Sequence, residues 1–196
     1  MASTLTVDNI VGATAAANVK LPGSPIQVVY NLIQTHPQYG STSYVTTDVE
    51  VAITPKFADS KFLIEGVYST GTDAGSSNSH DCLASINIRD SLNPSGATAP
   101  LVPDNASGAG TNRTGAFMCA PSTASVSEVL NYWIHQVPVF YLYTPSYQNT
   151  NARTFGFLIK NGLATQGSTQ NMSDTNTNSR FDIRATSTIK VTEIAA

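Results

Sequence analysis

The chain has 196 residues, enough for one large domain or one domain with a small appendage. Ser, Thr and Asn supply 60 of them and the four charged types only 23, about half the usual charged share of roughly a quarter, while an apolar content of 41% with eight Tyr, seven Phe and one Trp argues against intrinsic disorder. No apolar run approaches the roughly 18 residues of a membrane-spanning helix, and a net charge of −3 with a pI near 5.5 favours neither nucleic acid nor an anionic membrane.

Residues 1–24 differ from the rest. Leu5, Val7, Ile10, Val11, Val19 and Leu21 are scattered without a sustained period of 3.6 or 2, and the small-residue run Ala13 to Ala17 is too short to hold a helix alone. This predicts a short extended arm that needs a partner surface. Met1 to Leu21 shows neither a basic n-region nor a continuous apolar h-region, so a chain made without a secretory signal is expected. Pro22-Gly23-Ser24-Pro25 marks a break.

From Ile26 the pattern is β. Ile26 to Ile33 is a β-rich run. Tyr44 to Thr54 alternates, with Val45, Thr47, Val49, Val51 and Ile53 on one face and Tyr44, Thr46, Asp48, Glu50 and Ala52 on a wet one. Lys61 to Thr70 sets Phe62, Ile64, Gly66 and Tyr68 against Leu63, Glu65 and Val67. Asp81 to Arg89 sets Cys82, Ala84, Ile86 and Ile88 against Leu83, Ser85, Asn87 and Arg89, and Gly115 to Cys119 is a short strand. Val129 to Tyr143 is the most apolar stretch. Pro138 within it predicts a bend, a bulge or a junction of two strands. Phe155, Phe157 and Ile159 share a face in Arg153 to Lys160, and the last region, Arg180 to Ile194, carries Phe181, Ile183, Ile189 and Val191. Long polar linkers are expected at Gly71 to His80, Ser91 to Asn112, Pro145 to Ala152 and Leu163 to Ser179. Eight or nine strands without interleaved helices predict an all-β, jelly-roll-like antiparallel sandwich at 25–196.

Catalytic and ligand-binding motifs are missing, so the expectation is a non-enzyme without metal or cofactor. His36, His80 and His135 have no paired spacing; His135 reads as a core or interface histidine, and His80-Asp81 as a solvated loop tip, with an ion site on a symmetry axis as the sharper alternative. Cys82 and Cys119 match no zinc motif and read as free thiols. Gly108 and Gly110 lack the following helix and Lys-Ser/Thr of a phosphate loop. Asp48 and Glu50 read as solubilising charges rather than an acid pair or calcium ligands. The sequons at Asn105, Asn112 and Asn171 are what chance gives in so Asn/Ser/Thr-rich a chain. Among the aromatics, Tyr39 beside Gly40 and Tyr147 near Pro145 are the candidates for exposed recognition of a sugar or protein surface.

The opening Ser3-Thr4-Leu5-Thr6-Val7-Asp8-Asn9-Ile10-Val11-Gly12, continued by Ala17-Asn18-Val19-Lys20-Leu21-Pro22-Gly23, resembles the start of tail-fibre-like virion structural proteins of marine phages, cyanophages among them. Pro25-Ile26-Gln27-Val28-Val29, Ser41-Thr42-Ser43-Tyr44-Val45, Ile53-Thr54-Pro55-Lys56 and Ser60-Lys61-Phe62-Leu63-Ile64 follow in a similar order, and Ser187-Thr188-Ile189-Lys190-Val191-Thr192-Glu193-Ile194-Ala195 resembles the same family's C-terminus. Gly71 to Thr150 departs from the pattern. The resemblance implies a phage virion component assembled in the bacterial cytoplasm. Its arm would dock on other virion proteins, and its head, a trimer, would contact a glycan or protein of the host surface. A capsid decoration protein is the alternative. A polysaccharide-degrading enzyme is disfavoured, because glycoside hydrolysis uses a positioned pair of carboxylates and the chain has few.

Overall fold

A computed structural model describes residues 20–73, 84–102, 118–119, 134–161, 167–172 and 184–196. The elements within them are strands: β1 (Pro25–Ile33), β2 (Gln38–Tyr39), β3 (Val45–Ile53), β4 (Lys61–Asp73), β5 (Ala84–Asp90), β6 (Met118–Cys119), β7 (His135–Tyr143), β8 (Arg153–Asn161), β9 (Gly167–Gln170) and β10 (Ser187–Ile194). Of the expected features, Leu5, Val7, Ile10, Val11 and Val19 of the arm, His80-Asp81, Cys82, Asn105, Gly108, Gly110, Asn112, Val129 to Trp133, Phe181 and Ile183 lie outside the described residues.

All pairings are antiparallel. One sheet runs β1-β10-β4 with β7 on the far edge of β4, and the other runs β3-β8-β5-β6. Without the short β2 and β9, the orders 1-10-4-7 and 3-8-5-6 are those of a jelly roll, in which two interlocked Greek keys make the chain cross between sheets. The expected all-β jelly-roll sandwich is therefore what forms. β4 is long enough to serve two neighbours on one edge: β10 pairs Lys61 to Val67, and β9 takes Thr70 to Asp73 and passes the sheet on to β2.

Alternation decides the core. Val49, Ile53, Phe62, Ile64, Tyr68, Phe155, Phe157, Ile159, Ile189 and Val191 all point inward and are buried, each contributing about 1.5–3 kcal/mol where the side chain is large. The rings interlock across the sheets, Phe62 against Phe155 at 5.0 Å and Tyr68 against Phe157 at 5.5 Å between centroids. Gly66 stands inward in the same row, where a Cβ would meet the Thr188 carbonyl oxygen at 2.3 Å and Phe157 Cζ at 3.2 Å.

Two expectations need correction, and β5 departs from one-sided alternation. Pro138 causes no bend, bulge or junction: β7 pairs β4 without a register shift from Phe62↔Tyr143 to Thr70↔His135. Among the described residues β7 has no second neighbour, so the missing N–H costs no ladder bond. β5 has no wet face, since Ser85, Asn87 and Arg89 are as buried as Ile86 and Ile88. The linker from Ser91 folds back over it: Leu101 N–H donates to Ile88 O at 2.9 Å, and Asn87 exchanges bonds with Val102 O at 2.8 Å and Val102 N–H at 3.2 Å. Finally, β2 and β9 are strands, although β9 falls in the expected linker from Leu163 to Ser179. Two and four residues are too few to show a period.

Candidate functional site

Register places the starts of β1, β4 and β8 and the ends of β3, β5, β7 and β10 at one end of the sandwich. The N-terminal segment enters here. Gly23, at φ +80, turns the chain, and Ser24 N–H donates to Leu21 O at 3.0 Å. Gly23 N–H then donates to Ala195 O at 2.8 Å, and Ala195 N–H donates to Ser24 O at 3.0 Å. Lys20 pairs with Asp59 at 2.5 Å, a bond that holds the Asp59 carboxyl below its usual range, and its ammonium lies over the Phe57 ring at 5.5 Å. Leu21 is exposed. Thus Lys20 to Ser24 are tied to the head, and of the predicted docking residues Leu21 is the described one.

Two buried carboxylates organise this end. Glu193 is fully buried on β10 and accepts from Lys56 N–H at 2.8 Å, Phe57 N–H at 3.2 Å, Ser60 Oγ at 2.6 Å and Gln27 Nε2 at 2.6 Å. It pins the crossing from β3 to β4. Asp90 accepts from Arg153 Nη1 at 2.8 Å, with both side chains about 1% exposed. The Arg153 guanidinium lies 5.2 Å from the Phe62 centroid, and its Nη2 donates to Tyr147 O at 3.2 Å. Burial, then the Asp90 charge, pushes the neighbouring Tyr143 hydroxyl up to about 12. Tyr147 itself is exposed. It sits on the β7–β8 connection, at the end where the N-terminal segment enters.

The opposite end is closed by amides and hydroxyls. Gln170 of β9 accepts from Tyr39 Oη at 3.3 Å and from Tyr68 Oη at 3.4 Å, and donates to Asp48 and to Thr35, which also bonds Asp48. Tyr39, expected to be exposed, is half-buried against the core, and its carbonyl accepts from Asn161 Nδ2 at 2.8 Å. That removes it from the exposed recognition candidates. The reason is β2: pairing with β9 turns the ring inward. Burial, then the Asp48 charge, pushes the Tyr39 hydroxyl up to about 12, and burial likewise raises Tyr68 well above the ordinary phenol range. Both phenols therefore hold their protons through neutral pH and act as hydrogen-bond donors.

Asn171 is fully buried at φ 55, a conformation Asn tolerates better than most side chains. Its Nδ2 donates to Ile33 O at 2.9 Å and Thr35 O at 3.0 Å, and its Oδ1 accepts from Ser187 Oγ at 2.6 Å. This sequon is a structural joint rather than a surface acceptor.

Asp48 and Glu50 do not act together. A register shift separates them, and Glu50 pairs with Arg89 on β5 while Asp48 serves the Gln170 network. His135 opens β7 half-buried opposite Thr70, outside the core cluster. Among the described residues no three His, Cys, Asp or Glu side chains gather at a spacing that could hold a metal ion. Sequence reasoning missed Glu193, Arg153, Asp90, Gln170 and Asn171. A polar type within or at the end of an apolar strand hinted at Glu193, Arg153 and Asp90, whereas Gln170 in the polar β9 and Asn171 just after it carried no such signal.

No family model and no curated protein matches the sequence. Among solved structures, the chain is similar to that of infectious bursal disease virus Gx strain at 9% identity and TM-score 0.36, covering 98% of this chain and 42% of that one. For the Gt strain the values are 12%, 0.36, 100% and 42%, and for T=1 particles derived from the same virus 11%, 0.35, 100% and 41%. The chain thus spans about two fifths of the length of those chains. Likeness at this distance carries no argument about function.

Proposed function

We propose that the protein is a non-catalytic phage virion structural component of the tail-fibre or adhesin type, docked through its N-terminal arm and presenting a jelly-roll head to the bacterial surface. One observation carries the reading. The two family-like terminal stretches, at opposite ends of the sequence, are hydrogen-bonded neighbours: Gly23 and Ser24 exchange bonds with Ala195. They form one attachment end, from which residues 1–19 continue. The opposite end of the sandwich, where β4 ends, β5 begins and β10 begins, faces away from that attachment and is the side on which a receptor would be met. Tyr147, at the attachment end, then belongs with docking rather than with host recognition.

The test is removal of residues 1–19, stopping short of Lys20 because Lys20 to Ser24 are bonded to the head. The truncated protein should fold and fail to enter virions. Normal incorporation would sink the docking role. Imaging labelled particles separates the readings: signal at the tail with binding of purified head to host cells supports the adhesin, whereas signal on the capsid lattice makes this a decoration protein. Release of reducing sugar from host polysaccharide would overturn the non-catalytic reading.

A further inference from the structure

The outer face of the β1-β10-β4-β7 sheet is apolar where a monomer's should be polar. Register lines it up in three rows across four strands: Val28–Thr192–Leu63–Leu142, Tyr30–Lys190–Glu65–Phe140 and Leu32–Thr188–Val67–Pro138. Val28, Tyr30, Leu32, Phe140 and Leu142 are 50–76% exposed and make up five of the seven exposed large hydrophobics among the described residues. Lys190 and Glu65, paired at 2.7 Å, are the charges of these rows and occupy their centre. In both edge strands the inward face is apolar as well, with Val29 and Ile33 on β1 and Val137 and Val139 on β7 packed in or against the core. The outward residues are therefore a second apolar set that the fold does not need.

We propose that this face binds the same face of a second copy of the chain about a two-fold axis. The axis runs along the strands between β10 and β4. The pattern is its own complement under that rotation. A half-turn about this line exchanges β10 with β4 and β1 with β7. Lys190 then meets Glu65 of the other copy, Tyr30 meets Phe140, Val28 meets Leu142 and Leu32 meets Pro138. A face with one cation beside one anion, flanked by an aromatic on each side, suits itself better than a uniformly charged or purely apolar partner. Its size fits too. Strands of nine residues at about 3.3 Å each, four abreast at about 4.8 Å, span roughly 550 Å², so two copies cover about 1,100 Å². That is at the upper end of what monomers leave exposed and at the lower end of specific interfaces. A modest contact of this kind is suited to copies already held side by side, where effective concentration multiplies its strength. The proposal does not depend on whether the particle site is tail or capsid. It does compete with the three-fold head that the sequence resemblance implies, since a three-fold axis joins two different patches.

The experiment is sedimentation equilibrium of the full chain from micromolar to several hundred micromolar. The expected result is a reversible shift from one to two copies with a dissociation constant in the micromolar range. Tyr30→Lys and Phe140→Lys, at exposed positions where folding is not at stake, should each weaken association at least about tenfold. Lys190→Glu should weaken it, and Lys190→Glu with Glu65→Lys should restore it. In mixtures, a short bismaleimide should join a Tyr30→Cys copy to a Phe140→Cys copy more efficiently than two Tyr30→Cys copies, against a wild-type background for Cys82 and Cys119. A single-copy mass at every concentration, a three-copy mass, or dimers indifferent to Tyr30→Lys and Phe140→Lys would overturn the proposal.

Discussion

Glu193→Ala tests whether one buried carboxylate pins the corner where the chain crosses between sheets. In the native fold Glu193 takes two backbone amides, from Lys56 and Phe57, one hydroxyl, from Ser60, and one side-chain amide, from Gln27, at 2.6–3.2 Å. Ser60 and Glu193 are about 1% and 0% exposed, so water does not replace the carboxylate without rearrangement. Each buried donor left without a partner costs about 1–3 kcal/mol, and water entering the vacated space recovers part of that. The expected loss is about 3–5 kcal/mol, well above the roughly 1 kcal/mol of an ordinary substitution. At about 2–4 °C per kcal/mol for a chain of this size, the melting temperature should fall by about 6–20 °C. Urea denaturation should show a lower midpoint with an unchanged slope, because the surface exposed on unfolding is the same. Glu193→Gln, which keeps the shape and one acceptor oxygen but points two donors at donors, should fall between. A loss under about 1 kcal/mol for the alanine variant would refute the pinning role.

Gly66→Ala should lose about 1–3 kcal/mol by overpacking, since its Cβ would sit 2.3 Å from the Thr188 carbonyl oxygen, whereas Gly40→Ala, with nothing within 4 Å, should be near neutral in the same melting assay. Arg153→Met or Asp90→Leu alone should each cost about 3–5 kcal/mol by stranding a buried charged partner, while Arg153→Met with Asp90→Leu should cost far less than the sum of the two; a double-mutant cycle in urea reads the difference. The raised Tyr39 and Tyr143 hydroxyls favour the protonated form in the fold, so at pH between 10 and about 12 the unfolded chain binds fewer protons than the native one. Stability should therefore be fully present below pH 10 and fall as pH rises through about 12, and Tyr39→Phe should flatten the fall. Asn171→Ala should destabilise through loss of the bonds to Ile33, Thr35 and Ser187 and through strain at φ 55, and Asn171→Gly should recover only the strain part, as read by denaturation midpoints.

The sequence by itself determined the class of the fold and most of its inward residues. Alternation in Val45–Ile53 and Lys61 to Thr70 named the inward apolar sets correctly, because a strand with one wet face must repeat every two residues, whereas in Arg153 to Lys160 it named Phe155, Phe157 and Ile159 but not Leu158, buried on the opposite face. Tertiary structure decided the rest. Alternation says which side of a strand is buried but not which strand lies beside it, so the meeting of Gly23 with Ala195 and the rows across β1, β10, β4 and β7 appear only once the Greek keys are closed. Where both sides of a strand are apolar, as in β1, or both are covered, as in β5, the period carries no choice. Packing then made one side of β1 core and left the other exposed, and the folded-back linker buried Asn87 and Arg89. Glu193, Arg153 and Gln170 read as surface residues by type, because a polar side chain is tolerable inside only when partners distant in sequence satisfy it, and those partners exist only in the folded chain.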